Sequence, residues 1–183
     1  MMNIYETDRL VLKALDKSYG SLTADYYMQN KEFLKEWISL RDESFFTPAG
    51  QEKQLEEDLT NASAKKSLRL WIFEKNREDR VIGTIAFNNM LWGSYLSCHI
   101  GYRLDKDEVG KGYTTEAARK GIDVMFNEYK LHRIEADIMP HNKASVKVAE
   151  NLGFINEGML NKYLKINGVW QDHIRMVLIN DKV

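Results

Sequence analysis

Apolar and polar positions along the chain follow two periods, one of strands and one of helices. Leu10-Val11-Leu12 is a short apolar run that predicts a first strand. From Asp16 to Ser39 the apolar residues return at helical spacing (Leu22, Tyr26, then Phe33, Leu34, Trp37, Ile38), predicting two helices broken near Asn30. Residues 45–50 read as a loop, and Gln51 to Ala64 as a charged helix with Leu55 and Leu59 inward. Leu68 to Phe73 and Val81 to Phe87 predict strands around the polar turn Lys75 to Asp79, and Tyr95 to Leu104 a further strand. Thr115 to Tyr129 carries Ala118, Ile122, Met125, Phe126 and Tyr129 at three- and four-residue spacing, the stripe of an amphipathic helix. Ile134, Ala136 and Ile138 alternate with Arg133, Glu135 and Asp137, the period of a half-buried strand. Asn142 to Leu152 predicts a helix with Asn142 as N-cap and Gly153 as stop. Two strands then close the chain around Ile166-Asn167-Gly168, whose Asn-Gly pair favours a tight hairpin. The sum is a mixed α/β (α+β) fold.

Composition narrows this picture. A chain of 183 residues suits one domain over 1–183, without repeat, low-complexity tract or linker. Lys+Arg 26 against Asp+Glu 27 gives a formal charge of −1, which argues against binding nucleic acid by phosphate neutralisation. Cys98 is the lone cysteine, so neither a disulfide framework nor a thiolate metal cluster is expected. Met1 to Thr7 lacks a cationic head followed by an apolar run, and no stretch approaches the roughly 20 apolar residues that span a bilayer. The expectation is a cytoplasmic protein without membrane contact.

The strongest chemical signal is Val109-Gly110-Lys111-Gly112-Tyr113-Thr114, just ahead of the longest predicted helix. Glycines let a backbone approach an anion, and the first N–H groups of a helix are unpaired at the positive end of its dipole. The dinucleotide fingerprint would need a small third residue where Thr115 stands. A P-loop would need glycine where Asp105 stands. Asp105, Asp107, Gly110 and Glu116 match four positions of a calcium loop, but Val109 offers no oxygen at the fifth and a strand, not a helix, leads in. A plain turn using glycine for its dihedrals remains open on these residues alone.

Further motifs follow in order: Thr7-Asp8-Arg9-Leu10, Val81-Ile82-Gly83 with Phe87, Ile100-Gly101-Tyr102, then Asn142-x-x-Ser145 and Leu152-Gly153-Phe154-x-x-Glu157-Gly158. Together with the glycine turn they resemble the GNAT acetyltransferase superfamily, most closely its ribosomal-protein N-terminal acetyltransferase branch (RimJ/RimL type), over residues 6 to 180. The resemblance implies a mostly antiparallel mixed sheet with splayed central strands, flanked by helices, and acetyl-CoA lying in the gap. Tyr102 and Leu104 would then flank the pantetheine arm. Residues Val109, Gly110, Lys111, Gly112, Tyr113, Thr114 and Thr115 would surround the pyrophosphate, and Asn142 would contact the pantetheine or phosphate region. Val109 and Thr114 depart from the family pattern, which costs little where backbone amides do the gripping.

Amide formation needs a neutral amine, donors for the thioester oxygen and an acid for the departing thiolate. The tyrosine that serves many relatives as acid is replaced by Ala149, and the resemblance points to Ser145 instead. His99 stands where relatives carry a carboxylate base, and imidazole chemistry suits that work near neutral pH. A second family carboxylate is missing near Leu164. His132, His141 and His173 show no metal spacing and read as surface or capping residues. Phe33 and Trp37 are the candidates for the acceptor wall, with Trp92 a weaker one and Trp71 a core residue. The expected acceptor is a protein N-terminal α-amine. A polyamine or aminoglycoside is the alternative, with Glu32, Glu36, Asp42 and Glu43 as its acidic groove, and a non-catalytic acyl-CoA-binding module is a third reading. Relatives often form homodimers.

Overall fold

The computed structural model describes residues 3–183 and holds eight strands and five α-helices. The strands are β1 (Ile4–Glu6), β2 (Leu10–Lys13), β3 (Leu68–Glu74), β4 (Gly83–Leu91), β5 (Ser97–Leu104), β6 (Arg133–Ile138), β7 (Ile155–Ile166) and β8 (Val169–Ile179). The helices are α1 (Gly20–Gln29), α2 (Lys31–Leu34), α3 (Pro48–Ser63), α4 (Tyr113–Asn127) and α5 (Lys143–Asn151). One sheet in the order β1-β2-β3-β4-β5-β6-β8-β7 runs through the molecule. Every neighbouring pair is antiparallel except β5 and β6.

Both faces of the first half of the sheet are covered, so its strands are apolar in both phases. Leu10, Leu12, Leu68, Leu70, Ile72, Ile85 and Phe87 point to the face carrying α4 and α5, where Ala118, Met125, Ala149 and Leu152 meet them. Val11, Trp71 and Phe73 point the other way, against Tyr26, Tyr27, Leu34 and Leu55 of α1, α2 and α3. Trp71 is thus a core residue, while Trp92 lies half-exposed with its indole N–H on the Lys65 carbonyl.

The predicted elements are present with shifted ends. Strand β1 was not anticipated: it has three residues and an exposed edge, too short to carry a period. Helix α3 begins at Pro48, inside the expected loop, because the Thr47 hydroxyl accepts from the Gly50 N–H and proline at the first helical position needs no donor. The last hairpin turns through Asn167 and Gly168, both at positive φ (+47° and +78°), the geometry that Asn-Gly favours.

Gly121 of α4 lets this helix lie directly on β4, since a Cβ there would meet the Phe87 ring at 2.8 Å. Phe87 is fully buried and has nowhere to retreat. Gly121→Val should therefore lower unfolding free energy by about 2 kcal/mol, read as a drop in Tm or in the urea midpoint.

Candidate active site

The glycine turn has the form that anion binding requires. After a 3₁₀ turn at Lys106–Glu108, Gly110 and Gly112 take φ of +85° and +81°, and Gly112 caps α4. The first intrahelical bond is from the Glu116 N–H to the Gly112 carbonyl. Among the described residues, no amide of 110–115 donates within the protein. These six N–H groups are thus free of protein partners, and five of their residues, Gly110 and Gly112 to Thr115, line a cleft of about 600 Å³ at the positive end of a 15-residue helix.

The turn is held from behind. The Arg9 guanidinium donates to the Lys111 carbonyl at 3.0 Å and to Glu116 at 2.7 Å, and Glu116 also accepts from the Thr7 hydroxyl at 2.6 Å. Glu116 is partly buried, yet these donors hold its carboxyl below the usual range. Asp105 accepts from Asp107 N–H, Asn30 and Arg80. Asp105 and Glu116, the first and last carboxylates of the calcium-loop spacing, are therefore committed to protein partners on separate elements. Lys111 bonds Glu108 at 2.6 Å, and its side chain does not line the cleft.

The central gap follows from strand pairing. β5 and β6 pair only at Ser97–Arg133, Cys98–Ile134 and His99–Glu135. Beyond that point β5 continues on β4 as far as Leu104, and β6 continues on β8 as far as Ile138. The facing edges are left without a strand partner. Asn142 and Ser145, at the start of α5, sit at this opening; the Asn142 side chain accepts from the Ser145 N–H at 3.0 Å. The Ser145 hydroxyl donates to the Tyr102 oxygen (3.1 Å), and the Tyr102 hydroxyl donates to the Ser145 carbonyl (2.9 Å). Burial pushes the Tyr102 phenol up to about 12, so it stays protonated at neutral pH.

Two cavities meet here. The large cleft is lined by Phe33, Tyr102, Leu104, Val109, Gly110, Gly112, and the start of α4 at Tyr113, Thr114 and Thr115. A second cavity of about 150 Å³ lies on the other side of the gap, bounded by Gly101, Asp137, Met139 and His173. Trp37, Tyr102, Arg103, Asn142 and Ser145 line both. Phe33 and Trp37 thus reach the cleft, and Trp37 alone of the pair reaches the smaller pocket.

His99 lies elsewhere. It is on the sheet face opposite Tyr102, with Nδ1 3.2 Å from Asp137 and Nε2 3.7 Å from Glu135, and it lines neither cavity. Asp137 also takes two bonds from Arg175, at 2.9 and 3.2 Å. Burial opposes its ionisation, but the hydrogen bonds from His99 and Arg175 outweigh burial and hold its carboxyl at about 2. His173 corrects the sequence reading: it is 3 % exposed and borders the small pocket instead of capping a surface. Its strand alternation was visible in the sequence, but only the pairing of β8 with β6 shows what it faces. Arg103 was missed for the same reason.

Two outcomes test this description. Arg9→Ala should weaken binding of the anionic ligand about fivefold, measured as its Kd, because it loosens the anion-binding turn without removing any of its amides. A carboxyl held low in the fold contributes stability that is complete above its ordinary value and is lost as pH falls through about 2. Asp137→Asn should therefore flatten the acid limb of stability between roughly pH 4 and 2, measured by urea unfolding.

Relatives agree with the geometry. The family model described as acetyltransferase (GNAT) domain matches residues 9–155. A probable N-acetyltransferase of Bacillus subtilis, YjcK, is 39 % identical, with 83 % of each chain covered. The [ribosomal protein uS5]-alanine N-acetyltransferase of Escherichia coli is 37 % identical over 94 % of this chain and 88 % of its own. The crystal structure of ribosomal-protein-S5-alanine acetyltransferase from Vibrio fischeri superposes with a TM-score of 0.92 at 35 % identity, covering 98 % of this chain and 97 % of that one. The splayed sheet, the free amides of the glycine turn and the family match together place the chain in the GNAT family of acetyltransferases, for which acetyl-CoA is the acyl donor.

Proposed function

We propose that the protein acetylates the N-terminal α-amine of a protein substrate of the ribosomal-protein kind. The observation that carries this reading is the shared wall between the two cavities: a donor held in the large cleft and an amine entering the small pocket would meet at Tyr102 and Ser145. The likeness to alanine N-acetyltransferases of ribosomal protein uS5, over almost the whole of both chains, supports the choice of acceptor. So does the pocket. Its 150 Å³ is room for roughly five water molecules, enough for an amine and a small first side chain.

A polyamine fits less well. Arg103 lines the pocket, and the carboxylates of the expected acidic groove have cationic or capping partners: Glu43 on Lys31, Glu32 on Lys35, Glu36 near His141, and Asp42 capping its own turn. A cytoplasmic setting is consistent with a single free, buried thiol, Cys98.

In this reading the amides of 110–115 hold the pyrophosphate of acetyl-CoA, and the unpaired edge of β5 aligns its arm and supplies an N–H to the thioester oxygen. Ser145 protonates the departing sulfur, its hydroxyl held in place by the Tyr102 oxygen that accepts from it.

Acetyl-CoA should raise the Tm of the protein by mass action. Thiol release should be faster with an alanine-initiated peptide than with spermidine, and the reverse order would favour the small-amine reading. Ser145→Ala should lower kcat about 100-fold with little change in the KM for acetyl-CoA.

A further inference from the structure

The small pocket needs a group that takes a proton from the incoming ammonium. Four side chains that line it can titrate or carry charge: Tyr102, Arg103, Asp137 and His173. Tyr102 is pushed up to about 12 and acts as a donor. Arg103 is a guanidinium and stays charged. Asp137 is held at about 2 by His99 and Arg175, too weak a base to remove a proton from an amine. His173 is the one left.

The geometry around His173 fixes its tautomer. Nδ1 lies 3.0 Å from the backbone carbonyl of Gln171, which can only accept, so Nδ1 carries a proton. In the neutral ring the lone pair is then on Nε2. Among the described residues Nε2 has no protein partner, although the side chain is buried and borders the pocket. Nε2 is not sealed in the core, so a donor entering the pocket can reach it. His99 offers the opposite case, with both nitrogens facing carboxylates and no lining role in either cavity.

We propose that His173 Nε2 is the general base of the reaction, receiving the proton of the acceptor ammonium in the small pocket. This rests on the reading of the pocket as the amine site. Transfer to an ammonium releases one net proton: nitrogen gives up two and sulfur takes one. His173 takes the first, which frees the nitrogen lone pair. The C–N bond forms, the C–S bond breaks and sulfur receives the Ser145 proton. The second nitrogen proton restores Ser145, and His173 sheds its own to solvent. The groups that face the imidazole are Asp137 on β6, paired with Arg175 on β8, Tyr163 on β7 (ring centroids 6.0 Å apart), Tyr102 and Arg103 on β5, and Ser145 on α5.

The test uses two substitutions. His173→Asn keeps a donor for the Gln171 carbonyl and removes Nε2, while His173→Gln keeps more of the side-chain volume. Each should be stabilised by acetyl-CoA as the wild type is, and should lose about 100-fold in kcat/KM for an alanine-initiated peptide at pH 7. The loss should shrink to within about tenfold at pH 9, above the ordinary α-amine value of about 8, where the acceptor has already shed its proton. Wild-type rates at pH 7, or a loss equally deep at both pH values, would overturn the proposal. Should both variants fold poorly, the unaltered enzyme decides it. With ¹⁵N-labelled histidine, the His173 Nε2 resonance should move when the same peptide is added to the CoA-bound protein, and an unmoved resonance overturns the assignment. Failure of the wild type to bind acetyl-CoA or to release thiol would instead defeat the acetyltransferase reading beneath it.

Discussion

The structure depends on β5 and β6 parting after three paired residues. They are the one parallel pair in the sheet, so their carboxyl ends open toward the same side. Each is followed by a helix, β5 by the glycine turn and α4, β6 by Asn142 and α5. The positive ends of two helices therefore converge on one gap, as ligands at the carboxyl ends of parallel strands require. The rest of the sheet is antiparallel and pinned through two cores, so the parting is a local feature of a rigid frame.

The gap gains its chemistry from groups whose other interactions are already satisfied. Arg9, Thr7 and Glu116 tie the first turn of the chain to the anion site more than a hundred residues away, which explains why the short N-terminal motif accompanies the glycine turn. Asn142 occupies the Ser145 backbone, leaving its hydroxyl for Tyr102. Asp137 is held ionised by Arg175 and His99 and is too weak a base, while His173 is tied by one nitrogen and open at the other. The pocket thus separates groups that position from groups that can exchange protons.

Much of the fold could be read from periodicity. Alternation over Ile134, Ala136 and Ile138, the stripe of α4 and the Asn-Gly hairpin all match, because each is local and strongly patterned. The early start of α3 was also signalled, by Thr47-Pro48, but the aromatic residues before it read as loop. The donor site was legible for a similar reason: Gly110 and Gly112 lie next to the helix they open. The acceptor pocket was not. It is assembled by register between β6 and β8, which sets Ile138 opposite Ile174 and brings His173 to the gap, and no local pattern records that pairing. His99 stood out only by its position along β5, and strand alternation turns it to the face away from Tyr102.

The account rests on the free amides of residues 110–115 as the grip on the pyrophosphate of coenzyme A. Amide hydrogen exchange with and without CoA tests it most directly. Protection should rise at Gly110 to Thr115 and change little along β7, which lies at the far edge of the sheet. CoA binding with exchange at those amides unaltered would contradict it.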